Sequence, residues 1–460
     1  MATLSPPTMS EEALQAFKAS QRGEVLQPGD AGYDVARRVH NAMIDKHPAL
    51  IARCIGVADV IAAVNFARAN NLLVAVRGGG HNVAGNAVCD EGIVIDLSGM
   101  RSIRVDPARR TVRAEPGVTY REFDRETQLF GLATPGGTIS ATGIAGLTLG
   151  GGFGWLSRQH GLACDNLLSV DMVLADGRFV TASAEEHADL FWGVRGGGGN
   201  FGVVTSFEYR LHPVGMLLGG LLVHPLPRAR EALRFYRDFI ATAPDELSVF
   251  AVLLTNPDGS RVVAFLVCYN GPLEQGEEVI RPLRQFGPPV ADLIQPLPYT
   301  AMQTLMDDGM PNGLQNYWKS SFLQEISDEA IDTIVAHFTA APSPLSLLLI
   351  EQFGGAGARV GQDETAFSHR SGHSNLLILA RCADPADAAR NMAWAREAWS
   401  AMQPFSDGGA YSNYVEGGAE GAARITAAYR PETYARLVAL KNRYDPTNFF
   451  RVNQNIIPTA

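Results

Sequence analysis

A glycine loop that ends in a histidine is the part of this chain whose residue types most clearly suit a chemical role. An apolar run over residues 72–76 leads into Arg77, Gly78, Gly79, Gly80, His81 and Asn82. Three glycines after a strand let successive backbone amides turn toward one point and form a concave nest that suits a pyrophosphate. His81 would lie beside a group held in this way. A surface turn is the alternative for a glycine run taken alone.

Two further segments, far apart in the sequence, supply more glycines and small polar residues. One covers residues 138–154 and continues into 161–168, and the other closes the chain over residues 444–456. These segments and the loop, in this order, resemble the vanillyl-alcohol-oxidase superfamily with its PCMH-type FAD-binding domain, in the branch similar to berberine bridge enzyme and 6-hydroxy-D-nicotine oxidase. The resemblance covers most of residues 30–215 and 405–460.

The resemblance implies FAD as cofactor, attached through His81 to the 8α-methyl of the flavin. Some relatives attach FAD a second time through a cysteine, but Ile139 stands at the matching position here, so a single covalent bond is expected. Cys164 lies too far along the chain to replace that cysteine. The other residues expected to contact FAD are Arg77, Gly78, Gly79, Gly80, Asn82, Gly85, Thr138, Thr142, Gly143, Gly146, Gly150, Gly151, Gly154, Asp165, Asn166, Gly202, Val203, Val204, Asn453 and Asn455.

The resemblance also assigns catalytic roles near the C-terminus. The residues Tyr411, Ser412, Asn413 and Tyr414 resemble the family's Tyr-x-Asn-Tyr segment, which makes Tyr414 the candidate base and Asn413 a residue that positions substrate or flavin. A phenol titrates near 10 in water, so Tyr414 would need a cation or hydrogen bonds to lower its pKa. Structural packing is the alternative role for Tyr414.

Thr142 bears on the electron acceptor. At the matching position of relatives, small residues accompany oxidases and larger ones accompany dehydrogenases, so threonine favours oxygen as acceptor, with ordinary packing as the alternative. Tyr269, Trp318 and Gln352 are the candidate substrate contacts, and Glu351 is expected on the opposite face of its strand from Gln352. Such a pocket suits a sugar, an aromatic alcohol, an N-heterocycle or another secondary metabolite, and the sequence does not choose among them.

Other phosphate-binding patterns fit less well. Residues 197–202 match G-x-G-x-x-G, but a helical stretch precedes them and a strand follows, whereas a dinucleotide site needs strand, loop and helix in that order. These residues therefore predict a tight turn. The chain contains no P-loop motif and no G-x-S-x-G elbow, which argues against a P-loop NTPase and a serine hydrolase.

Composition limits the possible partners. The net charge of −10 argues against nucleic acid, because phosphate binding depends on clustered Lys and Arg. No apolar run approaches the roughly 20 residues that span a bilayer, and the first 20 residues lack the pattern of a secretory signal, so a cytoplasmic location is expected. Five scattered cysteines without a Cys-x-x-Cys pair suggest buried thiols and no metal site. A small-molecule substrate is expected, in a monomer or a homo-oligomer.

The elements that must position these residues indicate an α+β fold. Residues 57–69 have helical spacing and precede the strand at 72–76, and later strands are expected near 93–95, 112–114, 170–174 and 203–211. Long strands at 247–254, 262–269 and 346–352, with a helix over 228–242, suggest an antiparallel sheet flanked by helices. We therefore predict a first part of an FAD-binding domain over residues 1–215, an inserted substrate-binding domain over 216–405, and a C-terminal segment over 406–460 that returns to the first domain.

These features together predict an FAD-dependent oxidase with one covalent bond to the cofactor. It would remove a hydride from a CH–OH or CH–N carbon, transfer it to flavin N5 and reduce O₂ to H₂O₂. A dehydrogenase that excludes oxygen and uses a quinone-like acceptor is the alternative within the fold. A non-catalytic protein that binds flavin is the alternative from another functional class.

Overall fold

The computed structural model describes residues 9–370 and 374–459. The β-strands are β1 (Val25–Leu26), β2 (Leu50–Arg53), β3 (Val74–Arg77), β4 (Ile93–Asp96), β5 (Ile103–Asp106), β6 (Thr111–Ala114), β7 (Leu132–Ala133), β8 (Leu167–Leu174), β9 (Phe179–Ser183), β10 (Gly202–Arg210), β11 (His212–Pro213), β12 (Met216–Pro225), β13 (Leu247–Thr255), β14 (Arg261–Tyr269), β15 (Ala291–Asp292), β16 (Gln295–Pro298), β17 (Gln315–Leu323), β18 (Leu347–Gln352) and β19 (Ser374–Cys382). The α-helices are α1 (Glu11–Ser20), α2 (Tyr33–Ala36), α3 (Val57–Ala69), α4 (Tyr120–Gln128), α5 (Ile144–Leu149), α6 (Ser157–His160), α7 (Ala188–Val194), α8 (Ala229–Ile240), α9 (Leu273–Gln285), α10 (Tyr299–Gln303), α11 (Asp328–Thr339), α12 (Ala356–Arg359), α13 (Ala388–Met402), α14 (Gly418–Arg424) and α15 (Pro431–Tyr444).

The first sheet carries the glycine loop. Its strand order is β1-β2-β4-β3, in which β2 and β3 run parallel to β4 and β1 pairs antiparallel with β2. Parallel strands need a crossover, and α3 supplies it between β2 and β3 while it buries Val60, Val64 and Ala67 in the core beside the sheet. Since β3 ends at Arg77, the three glycines leave the carboxyl end of a buried strand.

The second sheet is antiparallel, with strand order β5-β6-β10-β8-β9. Two helices that are distant in sequence share its core, because Leu190 of α7 and Leu437 and Leu440 of α15 pack in one cluster with Phe207. The C-terminal helix therefore shares its core with strands that precede residue 211.

The third sheet has strand order β15-β12-β14-β13-β18-β19-β17, with β16 also paired to β12. All of its strand pairs are antiparallel. Its side chains alternate between two cores, as β14 illustrates. Val263 and Phe265 pack with residues of α8, α11 and α13, whereas Val262 and Ala264 belong to the cluster that also contains Phe153. One face of this sheet is thus covered by helices, and the other faces the glycine-rich segments.

The predicted fold class is confirmed, because the described chain combines helices with a parallel-strand region and an antiparallel sheet flanked by helices. The helix expected over residues 57–69 is α3, and the expected strands differ from the observed ones by only a few residues at their ends. The boundaries at residues 215 and 405 stay predictions. Among the described residues, no helix is both long and apolar enough to cross a lipid bilayer.

Candidate active site

A large cavity lies where the glycine-rich segments, the C-terminal segment and the third sheet meet. Its empty volume is about 1830 Å³, including the part that opens to solvent. Its wall contains His81 from the glycine loop, Thr142 from the second segment, Trp318 from β17 and Asn453 from the C-terminal segment. Tertiary structure therefore brings together segments that are up to several hundred residues apart.

The two glycine-rich segments meet backbone to backbone at one edge of this cavity. A Cβ atom on Gly79 would lie 2.6 Å from the backbone nitrogen of Gly143, and a Cβ on Gly143 would lie 2.6 Å from the nitrogen of Gly79. Either side chain would push the loops apart, which explains why both positions are glycine. Gly146 also lines the cavity, and a Cβ there would meet no heavy atom within 4 Å, so the backbone at this point is open to a ligand.

His81 stacks on a second histidine. The rings of His40 and His81 lie 4.0 Å apart with an interplanar angle of 15°, and the Nε2 atom of each is buried without a hydrogen-bond partner. Burial lowers the pKa of His81 to about 3 and, with the nearby Arg381, lowers that of His40, so both imidazoles are neutral near pH 7. The Nδ1 of His40 pairs with Oδ1 of Asn312 at 2.7 Å, which fixes the ring that supports His81.

Many of the predicted site residues meet at this cavity. Tyr414 and Trp318 are among them, with their rings in edge-to-face contact at 5.7 Å. The predicted residues that line the cavity are Gly78, Gly79, Gly80, His81, Asn82, Thr138, Thr142, Gly143, Gly146, Gly150, Gly202, Val203, Val204, Trp318, Asn413, Tyr414 and Asn453.

Two predicted cofactor contacts are charged side chains that form ion pairs within the protein. Arg77 donates to both carboxylate oxygens of Asp96, at 3.1 and 2.5 Å. Asp165 accepts from both terminal nitrogens of Arg370, at 3.0 and 2.6 Å, and from the backbone N–H of Leu162 at 2.9 Å. Neither residue lines the cavity, because each is held by a partner behind the wall. Their predicted role is corrected to support of the two glycine-rich segments.

Five further predicted contacts also lie off the cavity wall. The Asn166 amide donates to the carbonyls of His160 and Leu162, both at 2.9 Å. Asn455 carries a buried Oδ1 without a partner, away from the cavity wall. The three predicted glycines that do not line the cavity each pack against another part of the chain, with Gly85 against Ile44, Gly151 against Phe367 and Gly154 against Gly136. These five positions shape the wall rather than form it.

A carboxylate that the sequence placed on the wrong face forms the polar centre of the cavity. The hydroxyl of Tyr414 donates to Oε1 of Glu351 at 2.9 Å, and Nδ2 of Asn375 donates to Oε2 at 2.7 Å. Burial raises the pKa of Glu351 to about 7, although both hydrogen bonds act to lower it. Glu351 can therefore hold or release a proton near neutral pH.

The same carboxylate changes the role expected for Tyr414. The pKa of this phenol is raised well above its ordinary value, first by burial and then by the charge of Glu351. The nearest charged group is thus an anion, where a cation was required to make Tyr414 a base by itself. The pair is suited instead to pass a proton from Tyr414 to Glu351.

Two of the three predicted substrate contacts are wrong, and the reason is the side-chain alternation of the sheet. On β18, Glu351 faces the cavity and Gln352 faces the helices, where its Oε1 accepts from the backbone N–H of Val249 at 3.0 Å. Tyr269 on β14 belongs to the helix-side core. A shift of one residue in the assumed phase of a strand moves a side chain to the other face. Trp318 does line the cavity, as predicted.

Asn413 reaches the cavity but its amide is already engaged. Its Nδ2 donates to the carbonyl of Leu147 at 3.0 Å and to the hydroxyl oxygen of Tyr411 at 2.9 Å. The Tyr411 oxygen also accepts from the backbone N–H of Gly152 at 3.1 Å. Asn413 therefore ties the Tyr-x-Asn-Tyr segment to the second glycine segment, and it acts as a positioning residue.

Sequence reasoning missed most of the cavity wall that is formed by the third sheet and by the loop before β17. In addition to Trp318 and Glu351, this wall consists of apolar side chains, namely Met306, Met310, Leu347, Leu349, Leu377 and Leu379. On β18 these leucines share the phase of Glu351, so the correct choice of phase would have found them. Gly198 and Gly199 were read as a turn, and they also line the cavity.

Comparison with known proteins bears on what this cavity holds. The family model described as "FAD binding domain" matches residues 48–183, and the model "Berberine and berberine like" matches residues 410–457. An FAD-linked oxidoreductase of Dictyostelium discoideum is 34% identical over 453 residues, which is 97% of each chain. The chain belongs to the berberine-like family of FAD-linked oxidoreductases. Both matched segments of the family contain cavity residues, so the resemblance inferred from the sequence is confirmed.

Two other members of the berberine-like family show how far the similarity extends. The (R)-6-hydroxynicotine oxidase of Paenarthrobacter nicotinovorans is 33% identical over 461 residues, covering 96% of this chain and 98% of the relative. The crystal structure of 6-hydroxy-D-nicotine oxidase from Arthrobacter nicotinovorans superposes with a TM-score of 0.87 at 31% identity, over 95% of this chain and 98% of the other. This chain is accordingly an FAD-dependent oxidoreductase.

The cavity fits FAD on its own chemistry. The open backbone at Gly146 and at Gly199, where a Cβ would meet no heavy atom within 4 Å, offers contact surface without side chains in the way. Buried polar atoms without partners lie at His81 Nε2 and Asn453 Oδ1, both on residues of the wall. The residues at the meeting point of the glycine loops and Asn453 would hold the cofactor.

Proposed function

We propose that this FAD-dependent oxidoreductase is an oxidase that carries FAD covalently on His81 and acts on a small molecule at a CH–OH or CH–N carbon. The observation that carries the proposal is the Tyr414–Glu351 pair, which lies in the same cavity as His81 and Thr142. FAD, when bound, supplies the acceptor for the hydride and returns two electrons to O₂, giving H₂O₂.

The protein residues account for the proton that leaves with the hydride. Oxidation of H–C–O–H or H–C–N–H removes a hydride from carbon and a proton from the heteroatom, leaving C=O or C=N. The Tyr414 oxygen accepts that proton as its own proton passes to Oε1 of Glu351, and the two oxygens are 2.9 Å apart. Glu351 ends neutral, which its buried position favours, and Asn375 keeps its other oxygen in place.

Two observations support covalent attachment and an oxygen acceptor. The neutral His81 imidazole keeps a lone pair, so it is a nucleophile at neutral pH, and its stack with His40 orients it. Thr142 lines the cavity with a small side chain, as expected of an oxidase in this family. The relative named (R)-6-hydroxynicotine oxidase is an oxidase by its name, which supports oxygen as the acceptor.

The test measures both half-reactions on the purified flavoprotein. Acid precipitation first separates covalent from free flavin, and we expect the yellow colour to stay in the pellet. A candidate substrate should then bleach the flavin without air, and air should restore the colour with release of one H₂O₂ per flavin. Bleached flavin that air does not restore, while a quinone does, would make the protein a dehydrogenase. Reduction by dithionite but by no substrate would indicate a protein that only binds flavin.

A further inference from the structure

From the wall of the third sheet we infer that the substrate is an apolar, ring-containing molecule with one hydroxyl or amine, on the carbon that is oxidised, and that carbohydrates are excluded. This inference rests on the proposed function, because it names the substrate class of the same site. It chooses among the classes that the sequence left open.

The wall opposite the glycine loops is almost entirely hydrocarbon. The side chains of Leu347 and Leu349 on β18 and of Leu377 and Leu379 on β19 face the cavity side by side, since the two strands pair Leu347 with Leu379 and Leu349 with Leu377. Met306, Met310 and Trp318 extend the same surface. An apolar ring gains binding energy on this wall in proportion to the area it buries.

The other polar side chains nearby make hydrogen bonds within the protein. The Trp318 indole N–H points to Oδ1 of Asn316 at 3.4 Å, and the Ser412 hydroxyl donates to the carbonyl of Gly150 at 3.2 Å. The Tyr411 oxygen accepts from Gly152 and Asn413. Among these side chains, Tyr411 keeps one O–H donor, and the Tyr414–Glu351 pair is the group that can accept a proton from a substrate.

The charge of the wall narrows the class further. Among the described residues that line the cavity, Glu351 is the one carboxylate and none is a lysine or an arginine. An anionic substrate would find no cation here and would face a buried acid. A neutral alcohol or an amine meets Glu351 without that penalty.

A sugar would bury several hydroxyls against this wall, and only one of them could reach the Tyr414–Glu351 pair. Each hydroxyl that loses water without gaining a partner lowers affinity by about 10-fold or more. Two such hydroxyls already predict at least about 100-fold discrimination in kcat/KM. The sheet wall thus acts as the specificity-determining surface.

The experiment compares matched probes on the flavin-loaded protein. Cinnamyl alcohol and benzyl alcohol represent apolar alcohols, tetrahydroisoquinoline and benzylamine represent apolar amines, and glucose, cellobiose and xylobiose represent sugars. We measure anaerobic bleaching of the flavin and, independently of turnover, the change in its absorption spectrum on binding. Apolar probes should bind or bleach, and sugars should do neither, with the alcohol and amine arms identifying the reacting heteroatom.

Two variants test the wall itself. Leu349→Gln places a hydrogen-bonding group on the cavity face and should lower binding of the apolar probes by about 10-fold, since it removes apolar contact area. Leu348→Ala is the matched control, because Leu348 packs in the helix-side core. It should lower the melting temperature and leave probe binding unchanged.

The possible results separate the inference from the proposed function. Sugars that bleach or bind as well as the apolar probes would overturn the substrate class and leave the oxidase proposal intact. If no probe bleaches the flavin but apolar probes alone perturb its spectrum, the class stands and turnover is what fails. Equal effects of Leu349→Gln and Leu348→Ala on probe binding would also contradict the inference.

Discussion

At the scale of single residues, the proposed chemistry of this protein depends on one buried carboxylate. Glu351 lies on the cavity wall with both oxygens hydrogen-bonded, one to Tyr414 and one to Asn375. Its neighbours on β18 that face the cavity are leucines. A proton acceptor in such a setting has its pKa near neutrality, which is the range in which a general base is most effective.

Glu351 gives a prediction for the pH dependence of flavin reduction. Because its pKa is raised to about 7, the carboxylate is ionised above that pH and neutral below it. The rate of flavin reduction by substrate should therefore rise with pH and level off above about 7. Stopped-flow reduction over a range of pH measures this rate at constant ionic strength.

Glu351→Gln should abolish this pH dependence and slow reduction by about 10²–10⁴-fold, the usual effect of a general base. Tyr414→Phe should slow reduction in the same way without removing flavin from the protein. Wild-type rates that do not change between pH 5 and 9, on the order of two units either side of the predicted inflection, would refute the assignment of Glu351.

His40 gives a second residue-scale prediction. It supports His81 through the ring stack at 4.0 Å and is itself held by Asn312. We expect His40→Ala to lower the fraction of flavin that is covalently bound, measured by acid precipitation, because the His81 ring loses its support. His40→Phe keeps a flat ring in this place and should retain most of the attachment. Full attachment in His40→Ala would show that the stack is dispensable.

Thr142 links a single side chain to the electron acceptor. It lines the cavity beside the meeting point of the two glycine segments. Thr142→Leu adds bulk at this point and should slow reoxidation of the reduced flavin by air by about 10-fold or more, a barrier increase of about 1.4 kcal/mol. Reduction by substrate serves as the internal control. An unchanged rate of reoxidation would remove Thr142 from the case for an oxidase.

At the scale of elements, the C-terminal segment is held against the rest of the fold by a buried ion pair. Lys441 of α15 donates to Asp445 at 2.7 Å and to the carbonyls of Asn200 and Phe450, both at 2.8 Å. Asp445 also accepts from the backbone N–H groups of Phe449 and Phe450, at 2.7 and 2.9 Å. Since Phe450, Val452 and Asn453 line the cavity, this pair positions part of the site.

Removal of one member of this pair should be costly. Asp445→Asn leaves the buried Lys441 charge without its counter-ion and should lower the free energy of unfolding by about 3–5 kcal/mol. Thermal or urea unfolding and the flavin content of the purified protein measure the effect. Arg390→Gln breaks the exposed pair with Asp387 and should change stability by no more than about 1 kcal/mol. Similar losses in the two variants would contradict the role given to Asp445.

At the scale of the whole molecule, buried histidines decide how stability responds to acid. Burial lowers the pKa of His160 and of His212 to about 4, and it lowers that of His40 as well. His160 and His212 stack with their ring centroids 4.0 Å apart, and neither of them lines the cavity. Each of these rings is neutral in the folded protein and gains a proton on unfolding once the pH is below about 6.5, and for His160 and His212 this uptake extends down to about pH 4.

The unfolded chain therefore binds more protons, and stability should fall as the pH drops through this range. Glu351 acts in the opposite direction, because a raised pKa favours the folded state at low pH and loses that contribution as the pH rises from about 4.5 to 7. Asp124, whose pKa burial raises well above its ordinary value, acts in the same direction as Glu351, and the histidines outnumber these two carboxyl groups. Each net proton taken up on unfolding changes stability by at most about 1.4 kcal/mol per pH unit, and solvent screening reduces this for the half-buried His160 and His212.

Melting temperatures from pH 8 to about 4.5 test this balance, since they should decrease through the titration range of unfolded histidine. Glu351→Gln removes one opposing group and should make the decrease steeper. A melting temperature that is constant or rises toward low pH would contradict the assignment of neutral, buried histidines.

Local sequence patterns determined the positions of several helices and strands and of the glycine loop. The helical spacing of residues 57–69 and the apolar run before the glycines gave α3 and β3, because periodicity within one element depends only on which of its faces is buried. The glycine loop and His81 were found for the same reason, since close backbone approach requires glycine whatever the partner segment is.

The tertiary structure alone decided which face of each strand meets the cavity and which charges pair. The side chains on both faces of β18 are apolar apart from those of its last two residues. The sequence alternation therefore did not show whether Glu351 or Gln352 faces the cavity, which depends on the face that the helices cover. The family resemblance placed Arg77 and Asp165 among the cofactor contacts. It did not show that Asp96 and Arg370, which come from elsewhere in the chain, form ion pairs with them. A side chain's role depends on what folding places beside it, and that information is not local in the sequence.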